Sequence, residues 1–267
     1  MDKASVIGIG VGVGAILLGN ALEGGHISSL IQPTAALIVI GGTIGATLIG
    51  FPLATFVTAC KAMKDVFFGS EHDDTPSLIQ DITGYALKAR RDGILSLEDQ
   101  LPQVKHPFLR RALVMAVDGL DSKSMRENLE GMLDRLDEEG ELPAKVWESA
   151  GGYAPTIGII GAVMGLIHVM QNLADVGKVG AGIAVAFVAT IYGVGLANLI
   201  FLPASGKLKL RHKHEIGKLN LMMEGALAIQ EGQNPNLIAE KLSNLGSSED
   251  SSKKADSGPR GIPAEAR

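Results

Sequence analysis

Four stretches of the chain contain no Asp, Glu, Lys or Arg: Ala4–Leu22, Ile27–Cys60, Ser149–Ala174 and Val179–Gly206. A bilayer's hydrocarbon core, about 30 Å thick, is crossed by roughly 20 helical residues, because each residue advances about 1.5 Å. Every one of the four is long enough. No water is available at that depth to satisfy the backbone, so spans of this length are helical. The expected fold is therefore all-α, a polytopic membrane protein with four transmembrane helices. None of the four stretches carries a carboxylate, so if the chain moves ions the acidic carrier must come from another polypeptide.

The cations set the orientation. Between the first and second spans lie only Glu23 and His26, and between the third and fourth only Asp175 and Lys178. Lys61, Lys64, Lys145, Lys207, Lys209, Arg211 and Lys213 crowd the opposite ends. A Lys/Arg excess near span ends marks the cytoplasmic side, which puts both termini in the cytoplasm. No small-residue cleavage site follows the first span, which reads as a retained helix and not a signal peptide. The single cysteine, Cys60, gives no intrachain disulfide, and the net charge of −5 argues against a nucleic-acid partner. No metal-spaced His/Cys cluster and no nucleophile–base pattern favours an enzyme.

The expected organisation is spans one and two in residues 1–60 and a helical cytoplasmic insertion in 61–148. Spans three and four occupy 149–206, a helical C-terminal segment 207–245, and a polar disordered tail 246–267. In the insertion, Thr75 before Pro76 reads as a helix start, with Leu78, Ile79, Ile82, Tyr85 and Ala86 at helical spacing. A second helix begins near Pro107 and a third is opened by Asp121 and Ser122. These helices are expected to pack together or to extend the membrane helices.

Within the membrane, Gly8, Gly10, Gly12 and Gly14 of span one and Gly41, Gly42 and Gly45 of span two have the spacing that lets helix backbones approach closely. Span three has Gly158, Gly161, Ala162 and Gly165 on or near one face, with His168 toward its outer end. Span four has Thr190 and Tyr192 near its middle. Pro155 and Pro203 each remove a backbone hydrogen bond, and their positions read as paired hinges at matching depth. Trp147, just before span three, fits an interfacial anchor.

Several runs carry a resemblance: GGT-x-GA in span two, A-P-x-x-G-x-x-GA-x-x-GL in span three, AFVAT-x-YG in span four and ARR-x6-LE in the insertion. Together they resemble the MotA/PomA family of flagellar stator subunits, over residues 1 to about 245. The resemblance implies a ring of A-type subunits, a homo-oligomer of five copies, around two copies of a B-type (MotB-like) partner. That partner supplies a transmembrane Asp and grips peptidoglycan. The resemblance further implies the bacterial inner membrane as location, and torque exerted on the rotor switch protein of the flagellar C-ring. No cofactor is expected beyond the transported ion.

The residues fit such a role. Thr190 and Tyr192 offer hydroxyls to a partner's carboxylate, although a Thr in a helix commonly bonds its own i−4 carbonyl. Sodium-driven relatives place Thr where this chain has Ala162, and a methyl group offers no oxygen to a sodium ion, so the expected ion is the proton. His168 is a candidate proton shuttle near the outer mouth, against the alternative of a hydrogen-bonded packing histidine. The resemblance assigns rotor contact to Arg90 and Glu98, with Arg91 and Asp99 as auxiliaries, whereas in isolation such charges form a solvated face. Two competing readings are an ExbB/TolQ-like energy transducer, which has three spans and its large loop after the first, and a membrane scaffold without ion flow.

Overall fold

The computed structural model describes residues 3–68 and 74–256, and every regular element among them is helical. The chain divides into two compact units, Met1–Glu71 with Gly140–Arg211, and His72–Glu139 with His212–Arg267. Two of the seams, at 139/140 and 211/212, fall inside helices, some nine residues before the expected start of span three and five beyond the expected end of span four.

The first unit holds the membrane segments. Span one is α1 (Lys3–Leu22), in which no residue from 4 to 22 is buried. Span two is composite: α2 (Pro33–Ala36), a π-helical turn Leu37–Gly41 and α3 (Gly42–Gly50). The charge-free stretch expected to run to Cys60 ends as a span at Gly50. Phe51 is extended, at φ −136° and ψ 143°, because the ring of Pro52 disfavours helical backbone in the residue before it. Residues beyond form a separate helix, α4 (Leu53–Phe68).

Span three is the last part of a 50-residue helix, α7 (Ser122–Gln171). Asp121 starts it, its carboxylate accepting from the N–H groups of Lys123 and Ser124 at 3.1 and 3.0 Å. Span four is α8 (Val176–Leu196), capped by Asp175, then a π-helical turn Ala197–Phe201 and α9 (Leu202–Gln230). Among the described residues, four helices are long and apolar enough to cross a membrane. Only the charge-free parts of α7 and of the α8–α9 run do so; the remainder of each is too polar.

The second unit is built from α5 (Thr75–Asp92), a 3-10 stretch Ile94–Gln103, α6 (Pro107–Val117), α10 (Pro235–Asp256) and the polar parts of α7 and α9. Helix α5 starts one residue earlier than expected, with Asp74 at the N-cap position and Thr75 inside the helix. Its core contains Ile82, Leu97, Phe108, Leu113, Met125, Leu129, Leu227, Ile238 and Leu242. Arg126 ties α7 to α9 through Glu224 at 2.7 Å, and Lys241 of α10 reaches the same carboxylate at 2.7 Å. Residues 246–256, expected to lack structure, continue α10. The sequence places Glu249 and Asp250 four residues before Lys253 and Lys254, a spacing that supports a polar helix. The rest of the expected disordered tail, 257–267, lies outside the described residues.

Candidate functional site

The glycines of span three and the small residues of span four make the central contact of the membrane unit. A Cβ on Gly158 would stand 2.9 Å from the Ala189 carbonyl oxygen and 3.2 Å from the Gly193 Cα. On Gly165 it would meet the Gly182 carbonyl oxygen at 2.8 Å, and on Gly193 the Ala154 carbonyl oxygen at 2.5 Å. Backbone lies against backbone along this seam, which only glycine permits. The expected face of span three is confirmed for Gly158, Gly161 and Gly165. In span one, by contrast, no atom of the described residues lies within 4 Å of where a Cβ on Gly8, Gly10 or Gly14 would stand, whereas one on Gly12 would meet Leu199 of span four.

Thr190 sits on the seam, its Cα 3.5 Å from where a Gly158 Cβ would be. Its hydroxyl donates to the Ala186 carbonyl at 3.2 Å, the i−4 bond anticipated for an isolated helical threonine. The donor is engaged, but the oxygen keeps lone pairs that accept. Ala162 lies one turn along α7 from Gly158, on the same face, and both Ala162 and Thr190 are half-buried. Both residues therefore lie beside the glycine seam.

Tyr192 is elsewhere. Its side chain packs on the Ala35, Val39, Val188 and Ala189 cluster between α8 and span two. The hydroxyl donates to the Leu30 carbonyl at 2.6 Å and accepts from the Gln32 N–H at 3.2 Å. Two residues along a helix turn a side chain by about 200°, so Thr190 and Tyr192 cannot share a face. In this structure Tyr192 fastens the start of span two.

The two prolines are not at matching depth. Ala154, beside Pro155, lies against Gly193, so Pro203 is about nine or ten residues, roughly 14 Å, further along its helix. Pro203 is level with Trp147, whose ring stacks on Phe201 at 5.5 Å. Their surroundings differ too. Pro155 lies inside regular α-helix, while Pro203 comes two residues after the π-helical turn, whose wider loop makes room for a ring that would clash with the carbonyl four residues back.

Trp147 is 9% exposed and donates its indole N–H to the Ala59 carbonyl at 2.8 Å. It joins α4 to α7 from within and is not a lipid-facing anchor, because its polar handle finds a backbone acceptor inside the unit. His168 is exposed on α7.

In the second unit, Arg90 and Arg91 end α5, and Gly93 at φ +85° turns the chain away. Glu98 and Asp99 fall in the 3-10 stretch and not at the start of an α-helix; Pro102 and the short run before α6 keep this segment irregular. Leu97 is fully buried and pins the stretch, which leaves Arg90, Arg91, Glu98 and Asp99 all exposed. Arg91 is clasped by its neighbour Asp92 through two hydrogen bonds of 2.9 Å, which hold the Asp92 carboxyl below its ordinary range. Arg90, Glu98 and Asp99 form no ion pair among the described residues.

Comparison with known proteins bears on the family and the fold. The model of the MotA/TolQ/ExbB proton channel family matches residues 100–220, and that of the motility protein A N-terminal region matches 6–92. Motility protein A of Bacillus subtilis is 35% identical over 91% of this chain and 90% of its own length. The chain belongs to the MotA family of motility proteins. Chemotaxis protein PomA of Vibrio alginolyticus is 34% identical over 91% of the chain and 95% of its own length. The C. jejuni MotAB structure superposes with a TM-score of 0.85 at 32% identity, covering 92% of this chain and 96% of that one. The flagellar MotAB stator complex from Bacillus subtilis gives 0.83 at 35% identity, covering 95% and 100%. The match at residues 6–92 covers spans one and two and the start of the insertion.

Proposed function

We propose that this multi-pass membrane protein is the A-type half of a flagellar stator, completed by a B-type subunit whose transmembrane carboxylate carries protons past Ala162 and Thr190 beside the α7–α8 seam. The observation that carries the reading is the absence of any Asp or Glu from the four apolar stretches of a MotA-family chain. A charge at mid-bilayer is costly unless paired or hydrated, so channels spend few such groups, and here none is supplied in cis apart from His168. The half-buried Thr190 oxygen accepts from a protonated carboxyl, while the Ala162 methyl withholds a ligand from sodium.

Five copies around two B-type chains, both termini cytoplasmic, complete the arrangement. Neutralising the partner's carboxylate alters which packing of spans three and four is preferred, and that difference drives the step. The π-turn before Pro203 and the kink-prone Pro155 supply the compliance. Arg90 and Glu98 meet the rotor switch protein, with Arg91 and Asp99 beside them; exposed charges steer and register a contact that must release repeatedly.

The test is proton flux into vesicles, read with a pH-sensitive dye, for the chain alone and with its B-type partner. Flux is expected only for the pair, and is lost when the partner's Asp becomes Asn. Current through the chain by itself would refute the proposal. Thr190→Ala is expected to reduce flux in the pair without reducing its assembly.

A further inference from the structure

Helix α4 begins where span two ends. From Pro33 to Gly50 that span advances about 26 Å, a few Å less than the ~30 Å hydrocarbon core. The chain breaks at Phe51 and Pro52, so the new helix opens at Leu53 at a level where lipid is still present. Successive residues of a helix turn by about 100°, which sorts the side chains of α4 into two opposite stripes. Phe56, Ala59 and Met63 face inward and pack with Trp147 and Phe201, and the indole bond from Trp147 to the Ala59 carbonyl fixes the rotation of the helix.

Leu53, Val57, Cys60, Lys61 and Lys64 make the opposite stripe, and all five are exposed. Leu53 is 68% exposed and Val57 44%, an apolar surface that water would leave unsheltered. Lys61 and Lys64 form no ion pair among the described residues, whereas Lys145 and Lys209 of the same unit are held by Glu141 and Glu148 at 2.7 and 2.8 Å. The order along the stripe is apolar first and cationic next, over a rise of about 12 Å from Leu53 to Lys61. A leaflet has the same order, acyl chain and then phosphate, and lysines beside a span are drawn to anionic headgroups.

We propose that the exposed stripe of α4 is a binding surface for anionic phospholipid, with Leu53 and Val57 among the inner-leaflet acyl chains and the Lys61 and Lys64 ammonium groups on the headgroup phosphates. Lipid charge thereby holds the inner end of span two at a fixed depth. This holds whether or not the chain conducts protons.

Cys60, the single cysteine, lies on the stripe between its two parts and takes a fluorophore without further substitution. The full chain, alone and with its B-type partner, is labelled there and placed in vesicles of phosphatidylcholine and phosphatidylglycerol, one lipid at a time carrying a nitroxide high on its acyl chain. The label is expected to be quenched by the lipid-borne nitroxide and shielded from aqueous iodide. Quenching should report phosphatidylglycerol enriched roughly fivefold or more over its bulk share, an enrichment that K61Q/K64Q removes and K61R/K64R keeps. With Cys60→Ser as background, a label at Leu53→Cys should meet a nitroxide placed deeper in the chain, and one at Lys64→Cys should be reached by iodide. A Cys60 label open to iodide would put the stripe in water, and one shielded from iodide yet quenched by neither lipid would put it against another polypeptide. Either result overturns the proposal, as does equal enrichment in the natural chain and K61Q/K64Q.

Discussion

In the second unit the core is filled by large apolar side chains, with Ile82, Leu97, Leu113, Met125, Leu129 and Leu227 all closed off. In the membrane unit the helices meet through Gly158, Gly161, Gly165, Gly182 and Gly193, while Ile159, Ile160, Val163, Ile167 and Met170 stay exposed. A single helix, α7, contributes Leu129 to the first pattern and Gly165 to the second. Removing a large apolar side chain from water is worth about 1.5–3 kcal/mol, but in lipid the tails are as apolar as leucine and that gain vanishes. Close backbone approach and shared dispersion take its place.

The largest test of this contrast is Leu129→Ala, expected to destabilise by about 2–5 kcal/mol in denaturant unfolding, because a buried cavity is left. Ile167→Ala, on the exposed face of the same helix, should leave the unfolding midpoint in detergent nearly unmoved. Comparable losses at the two positions would erase the distinction. Next comes Gly193→Val, whose added atoms meet the Ala154 carbonyl. A cost of about 1–3 kcal/mol is expected in thermal unfolding, against no measurable change for Gly10→Val, which has open space around it.

Tyr192→Phe removes the hydroxyl that serves both Leu30 and Gln32, for an expected loss of about 1 kcal/mol. Faster backbone hydrogen exchange around residues 30–32 would confirm that the hydroxyl is a fastener. A pH series sharpens the second unit. Burial works to raise the Glu224 carboxyl, but the hydrogen bonds from Arg126 and Lys241 prevail and lower it. A folded value below the unfolded one stabilises above the ordinary carboxylate range and is lost as pH falls through the lowered value. Acid should therefore lower the wild-type midpoint more steeply than that of Glu224→Gln, and parallel curves would deny Glu224 the role. Smallest in stability are Arg90→Gln and Glu98→Gln, expected within about 0.5 kcal/mol of wild type because both side chains are exposed. Their effect should appear in swimming speed instead, and normal motility in both would remove the rotor contact.

How much of this was legible in the sequence depends on which interaction decided each point. The four spans were legible because charge is excluded from lipid whatever the tertiary packing, and Asp121 as a helix start because capping is local. The end of span two was missed although Phe51-Pro52 signalled it, since composition stays apolar across the break. Matching depth for Pro155 and Pro203 failed because register between helices is set by Gly158 and Gly193, which spacing within one helix does not disclose. Tyr192 looked like a path residue from its place in the span, but its two bonds reach residues some 160 positions away. Trp147 likewise found Ala59 across 88 positions.

The π-helical turn Ala197–Phe201 has one more consequence. Such a turn is one residue too many for the helix that contains it, and each residue accounts for about 100° of rotation. Absorbing that surplus elsewhere would swivel whatever lies downstream by more than a quarter of a circle while breaking no covalent link and leaving the Gly158–Gly193 crossing seated. Span four therefore stores an angular reserve, located where Pro203 prevents the surplus from being healed into ordinary helix.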